Sequence, residues 1–293
     1  MIQIVFSSSS DITPEEAKKL NGIVIAGQVN FGSEVTYYDG VDLSKEEFFD
    51  KMKSFAAETG KLPTTTQISE EAHYEVFKPL LDQGDEIVYI CMSSGMSSTI
   101  DRAIETVKRL NAEDKITIFD SETITLHYGA LVKEAIKARD AGKTRAEIEE
   151  YLKDCRERCE LMGCVSDITY LKKGGRLKGA QAVMATALNI KPLITIRNLM
   201  VDKIGKAIGI GGACKALAKL YAQYEVDYTM PIYIAHSSAP ELAARLIKQI
   251  KAVRPEFDPI DVGNIGASVG THIGPGCVGV TFFRKPGTKS YTK

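Results

Sequence analysis

Tryptophan is absent from this chain of 293 residues, and aromatic residues make up only 8% of it. A stacking platform for nucleic-acid bases is therefore not expected. There is no long basic or acidic run, and the formal net charge is −1. That argues against nucleic acid or an anionic membrane surface as the main partner. No apolar run approaches the roughly 20 residues of a membrane-spanning helix. No charged leader with an apolar core precedes Met1-Ile2-Gln3-Ile4-Val5-Phe6, which reads directly as a strand. The six cysteines (Cys91, Cys155, Cys159, Cys164, Cys214 and Cys277) form no CxxC pair, and the four histidines stand far apart. No zinc spacing emerges. Cys155 and Cys159 read as small core residues on one helix face. The expectation is a cytoplasmic protein with reduced thiols and no metal or cofactor.

Familiar catalytic signatures are missing as well. No GxSxG elbow surrounds any serine. Gly174 to Gly179 lacks the Lys and hydroxyl that would complete a phosphate loop, and Gly209-Ile210-Gly211-Gly212 lacks the third glycine of a dinucleotide loop.

What is present is 44% hydrophobic and 26% charged residues, a mix that supports a sizeable core. Ile2–Phe6, Ile87–Ile90 and Lys115–Phe119 read as strands. Capping sequences Thr13-Pro14-Glu15-Glu16, Ser44-Lys45-Glu46-Glu47 and Thr144-Arg145-Ala146-Glu147 open helices. Strands alternating with helices imply right-handed crossovers and a mainly parallel sheet. The long helix after Thr144 is read as ending near Gly163. The expected organisation is a two-domain α/β fold. Residues 1–163 form an N-terminal domain with a mainly parallel sheet flanked by helices, and residues 164–293 form a second α/β domain.

The chain is organised around Cys91-Met92-Ser93-Ser94-Gly95-Met96-Ser97-Ser98-Thr99, a hydroxyl-rich turn between a buried strand and an amphipathic helix. Ligands of open α/β sheets bind at the carboxyl ends of strands, and the first amides of the following helix favour an anion. The turn carries no charged residue, so its donors are neutral and suit one small oxyanion or carboxylate. An ordinary serine-rich helix cap is the competing reading. Thr64-Thr65-Thr66 form a second hydroxyl loop, solvated or facing Ser97. His272, before Gly274-Pro275-Gly276, lies in a histidine loop, and His236 ends a strand; either can be structural.

Taken in order, these stretches resemble the DegV family of bacterial fatty-acid-binding proteins. The resemblance rests on Ser7-Ser8-Ser9-Ser10-Asp11, Thr65-Thr66-Gln67, Ser93-Ser94-Gly95-Met96-Ser97-Ser98-Thr99 and Asp120-Ser121. It continues in Lys173-Gly174-Gly175-Arg176, Ile190-Lys191-Pro192, Ala235-His236 and His272-Ile273-Gly274-Pro275-Gly276. It implies one long-chain fatty acid held between the two domains. Thr65 and Ser97 would bond its carboxylate and His272 would orient that end, with Thr66 and Ser94 as second choices. It also implies a non-catalytic role, with the acid passed to a separate ATP-dependent kinase that makes an acyl phosphate. The chain departs from the pattern at Ser7, where an acidic residue is usual, and at Ser98, where glycine is usual. Between Gly209 and Lys215 the family often carries an arginine implicated in kinase docking; here Lys215 is the only cation. The resemblance therefore carries lipid binding further than kinase partnership. The alternative from a different class is a small-molecule hydrolase or phosphotransferase using Ser97 and His272 directly. For the binding reading, small apolar residues from Ala180 to Leu188 are a candidate tunnel wall.

Overall fold

A computed structural model describes residues 1–178 and 189–292 of the chain. Its strands are β1 (Ile2–Ser7), β2 (Ile23–Ile25), β3 (Gln28–Phe31), β4 (Val35–Tyr38), β5 (Thr64–Thr66), β6 (Glu86–Cys91), β7 (Ile116–Asp120), β8 (Cys159–Cys164), β9 (Ile190–Arg197), β10 (Met200–Ile208), β11 (Tyr233–His236), β12 (Asp261–Asn264) and β13 (Val278–Phe283). They form three sheets: a four-stranded sheet in the order β2-β1-β6-β7, a six-stranded sheet in the order β10-β9-β8-β13-β11-β12, and a three-stranded sheet β4-β3-β5.

The four-stranded sheet is wholly parallel. Its strands are apolar on both faces because both faces are covered. Val5, Ile87 and Tyr89 pack with Phe77, Ala103 and Val107 of helices Glu70–Asp82 and Thr99–Leu110. Ile4, Phe6, Val88 and Ile90 face the other way, toward Leu131, Ile136 and Leu152 of helices Thr125–Asp140 and Arg145–Arg158. Helix Thr125–Asp140 is buried along most of its length because it lies between the two large sheets, and the same core takes in Tyr233 of β11 and Phe283 of β13. The six-stranded sheet is antiparallel except where β11 and β12 run parallel. This is the expected α/β fold, a mainly parallel sheet flanked by helices with a second sheet-rich part. The capping boxes at Ser44 and Thr144 form in full.

Three local expectations are corrected. The helix after Thr144 ends at Arg158 and not near Gly163, because Cys159–Cys164 is strand β8. Cys159 and Met162 fit the helical period by coincidence. They are buried because β8 sits inside its sheet between β13 and β9. The expected boundary between residues 163 and 164 falls inside this strand. The threonine run is not a loop but β5, paired with β3 through Thr65 and Val29. His272 is not in a loop either; it lies on helix Ala267–Ile273, which stops at Gly274 with φ 71°. The expected wall from Ala180 to Leu188 lies outside the described residues.

Candidate functional site

A cavity of about 340 Å³ opens where the parallel sheet, β5, the start of β10 and helix Ala267–Ile273 meet. That volume is in the range of small-molecule pockets. Part of its wall is apolar: Ile68, Met92, Met96, Ile124, Leu171, Val201, Val269 and Ile273. The rest is rich in hydroxyls, from Ser7 at the end of β1 and Ser8 and Ser9 after it, Thr65 and Thr66 on β5, Ser97, Ser98 and Thr99 after β6, and Ser268. Residues on both sides of position 163 contribute.

The two hydroxyl stretches are tied together. Ile68 N donates to Thr99 Oγ1 at 3.2 Å, and Thr99 and Ser97 share a hydroxyl hydrogen bond of 3.0 Å. Thr65 Oγ1 lies 2.8 Å from His272 Nε2. The bond joins residues 207 apart in sequence. Burial, with Arg176 nearby, pulls the imidazole down to about 4, so it is neutral at pH 7. His272 Nδ1 is buried without a hydrogen-bond partner among the described residues. It faces Gly174, where an added Cβ would sit 2.5 Å from it. Glycine is required at that turn.

Of the expected residues, Thr65, Thr66, Ser97 and His272 line the cavity and Ser94 does not. Thr66 Oγ1 accepts from Asn30 Nδ2 at 2.8 Å on the exposed side of β5. Ser94 acts through its backbone, N–H to Asp120 Oδ2 at 3.3 Å, which ties the turn to the end of β7. Gly95 is needed where it stands, because a Cβ there would lie 2.6 Å from Leu199 Cβ and 2.7 Å from the Leu199 carbonyl. Ser93 Oγ donates to that same carbonyl at 2.7 Å. The tip of the β9–β10 hairpin is thus locked onto the central turn.

The site is not wholly neutral. Arg176 lines the cavity, donating from Nε to the Met96 carbonyl at 3.1 Å and from Nη1 to the Gly174 carbonyl. Its guanidinium is half-buried, which pushes its pKa down, and it has no acidic partner among the described residues. The Lys173-Gly174-Gly175-Arg176 turn was visible in the sequence, but nothing there placed it beside Met96. Thr65, Arg176 and His272 also border an adjoining cavity of about 410 Å³, together with Lys61 and Lys173.

A Ser–His nucleophile is not assembled. Ser97 bonds Thr99, His272 bonds Thr65, and His272 Nδ1 lacks the carboxylate that would orient a catalytic base. Among the described residues no group of three or more His, Cys, Asp or Glu side chains could hold a metal, and no helix is long and apolar enough to cross a membrane.

The family model described as "Uncharacterised protein, DegV family" matches residues 1–285. A DegV domain-containing protein of Caldanaerobacter subterraneus is 30% identical over 286 residues, 97% of this chain and 99% of its own. A DegV family protein of Thermus thermophilus, solved in a study of fatty acid binding, superposes with a TM-score of 0.85 at 24% identity, covering 97% of this chain and 99% of its own. DegV of Bacillus subtilis, described as a fatty acid binding protein, superposes with a TM-score of 0.81 at 26% identity, with 97% and 99% covered.

Proposed function

The chain belongs to the DegV family, and from that membership and the cavity's chemistry we propose that it binds one long-chain fatty acid. The observation that carries this reading is the placement of Arg176. A half-buried guanidinium without an acidic partner among the described residues shares a cavity wall with Thr65, Ser97 and His272. A buried charge is costly unless it is paired, so the wall is suited to an anionic head. The similar Bacillus subtilis protein is described as binding fatty acid.

In this reading the neutral His272 carries its proton on Nε2 and donates it to Thr65 Oγ1. The Thr65 proton is then free to point at the carboxylate, and Ser97 supplies a second hydroxyl. Hydrogen bonds to a charged group contribute about 1.5–3 kcal/mol each, much of it offsetting desolvation. The tail contributes more. About fourteen buried CH₂ groups at roughly 0.8 kcal/mol each give on the order of 11 kcal/mol before association costs. The apolar wall therefore supplies affinity, while the hydroxyls and Arg176 set which way the lipid points.

The protein is a carrier that presents the carboxylate to a separate acyl-phosphorylating kinase. The adjoining cavity supports this part, because it gives an outside approach to Thr65 and His272 past Lys61 and Lys173. Native mass spectrometry of the purified chain with added oleate is expected to show one fatty acid per chain. A chain that stays unliganded at saturating oleate overturns the proposal. The isolated chain is expected to form no acyl phosphate from oleate and ATP, whereas turnover by the chain alone would contradict the carrier role.

A further inference from the structure

Two buried carboxylates, Asp11 and Asp39, stand behind the cavity wall and take no part in the contacts described so far. Each is 4% exposed. Asp11 Oδ1 accepts from Gly266 N at 2.8 Å. Asp39 Oδ1 accepts from Ala267 N at 2.9 Å and its Oδ2 from Ser268 N at 3.0 Å. These three amides begin the seven-residue helix Ala267–Ile273, which brings Ser268, Val269, His272 and Ile273 to the cavity. So short a helix is not stable by itself, and its placement must come from outside it. The fit leaves no slack. A Cβ on Gly266 would lie 3.1 Å from Asp39 Oδ1 and 3.2 Å from Asp11 Oδ1, and one on Gly27 would lie 2.6 Å from Ser268 Oγ. The backbone of each acid is anchored in turn, since Asp39 N donates to the Gly27 carbonyl at 2.8 Å and Lys45 Nζ donates to the Asp11 main-chain carbonyl at 2.8 Å.

We propose that Asp11 and Asp39 are positioning residues for the carboxylate site: through the Gly266, Ala267 and Ser268 amides they set where His272 meets Thr65, and the charge on Asp11 adjusts that hold. The proposal rests on the fatty-acid reading above for its ligand and on geometry alone for the clasp.

The two acids are not equivalent. Both Asp39 oxygens accept amides, whereas Asp11 Oδ2 is buried and accepts no hydrogen bond from any described residue. The charged groups around Asp11 are Asp39, Glu15 of helix Pro14–Lys19, and Lys45 and Glu46 of helix Lys45–Thr59. Helix Ala267–Ile273 brings it the Gly266 amide and no titratable group in its first turn. Lys133 of helix Thr125–Asp140 is engaged with Glu16 and Asp261. Burial pushes the Asp11 carboxyl up to about 7, with Lys45 and the Gly266 amide opposing and Asp39 adding to the rise. Because its folded value lies above the ordinary carboxylate range, the stability it contributes falls as pH rises through about 7. Ionisation then puts a second negative charge beside Asp39 with one oxygen unserved. It also adds negative charge behind Ser8, which lines the main cavity on one side and neighbours Asp11 on the other. The hold on the helix, and with it the hold on a carboxylate ligand, is firmer below pH 7 than above.

The test reads the His272 imidazole by NMR in the ligand-free protein, and cis-parinaric acid binding by fluorescence from pH 6 to 8. Asp11→Ala and Asp39→Ala are expected to shift the imidazole signals and weaken binding about tenfold, the scale of one hydrogen bond to a charged acceptor. Asp11→Asn keeps an oxygen for Gly266 N and carries no charge. It is expected to restore most of the binding lost in the alanine variant and to remove the decline in affinity between pH 6 and 8. Wild-type imidazole signals in both alanine variants, or in Asp39→Asn should either fail to fold, overturn the clasp. A decline in Asp11→Asn as steep as the wild type's overturns the role of its charge. If the wild type takes up no fatty acid, the fatty-acid reading fails, and the ligand-free imidazole signals still decide the clasp.

Discussion

The two sides of the cavity are built differently. On one side, hydroxyls follow the carboxyl ends of parallel strands and are set by neighbours in sequence. Ser7 and Ser9 share a 2.6 Å hydrogen bond, and Ser97 and Thr99 one of 3.0 Å, each pair two residues apart. On the other side, Arg176 is held by the Met96 carbonyl 80 residues away, and His272 by Thr65 at a separation of 207. The first side is organised by the local chain. The second exists only when distant parts of the fold have docked. Changes on the local side should alter what the cavity holds with little effect on stability, and changes on the docked side should affect both.

The largest effect on binding is expected from Arg176→Met, which removes the only cation lining the cavity among the described residues. Palmitate affinity should fall about a hundredfold, at the upper range for a charged hydrogen-bonded pair. Hexadecanol affinity should change little, and isothermal titration of both ligands separates charge from packing. Next is Gly95→Ala. Its Cβ would meet the Leu199 carbonyl at 2.7 Å and push the hairpin tip off the turn. A loss of about 2 kcal/mol in urea unfolding is expected for such overpacking.

Ser97→Ala on the local side and Thr65→Ala on the docked side should each weaken palmitate about fivefold, the worth of roughly 1 kcal/mol. Stability should stay within about 0.5 kcal/mol for Ser97→Ala. For Thr65→Ala it should fall further, because that change also frees the buried His272 Nε2. Equal stabilities in these two variants would erase the distinction between the sides.

The gentlest effect is on pH dependence. His272 and His73 are both pulled down to about 4 by burial. Their folded values lie below the unfolded one near 6.5, so the unfolded chain binds more protons between pH 4 and 6.5, and acid destabilises the fold in that window. Asp11, raised to about 7, works in the opposite direction there. His272→Gln should therefore shallow the acid-side loss of stability without abolishing it, as followed by urea midpoints from pH 4 to 7.

The same difference explains what could be read from the sequence. The parallel sheet was legible because β6 is a continuous apolar run, and the hydroxyl turns were legible because their chemistry is local. Arg176 was visible as a residue and not as a wall, since only the fold brings it beside Met96. Ser7, Ser8 and Ser9 were visible only as a serine run, and their facing the same cavity as Ser97 follows from β1 and β6 being neighbours. Strand β8 is hidden in the sequence because Cys159 and Met162 continue the helical period of Cys155, although their burial comes from a strand covered on both faces. Helix Ala267–Ile273 is not legible in the sequence because Gly270 inside it, between the flanking Gly266 and Gly274, lowers helix propensity. Asp11 and Asp39, more than two hundred positions earlier, supply what its own sequence lacks.

The most direct measurement is the position of a bound lipid head. A crystal structure with a fatty acid brominated at its terminal carbon would fix both ends at once, the bromine by its anomalous signal and the carboxylate by its density. The account expects the carboxylate within hydrogen-bond distance of Thr65 and Ser97 and near Arg176, with the bromine in the apolar part of the cavity. A bromine beside Arg176, or a lipid bound elsewhere on the molecule, would contradict it.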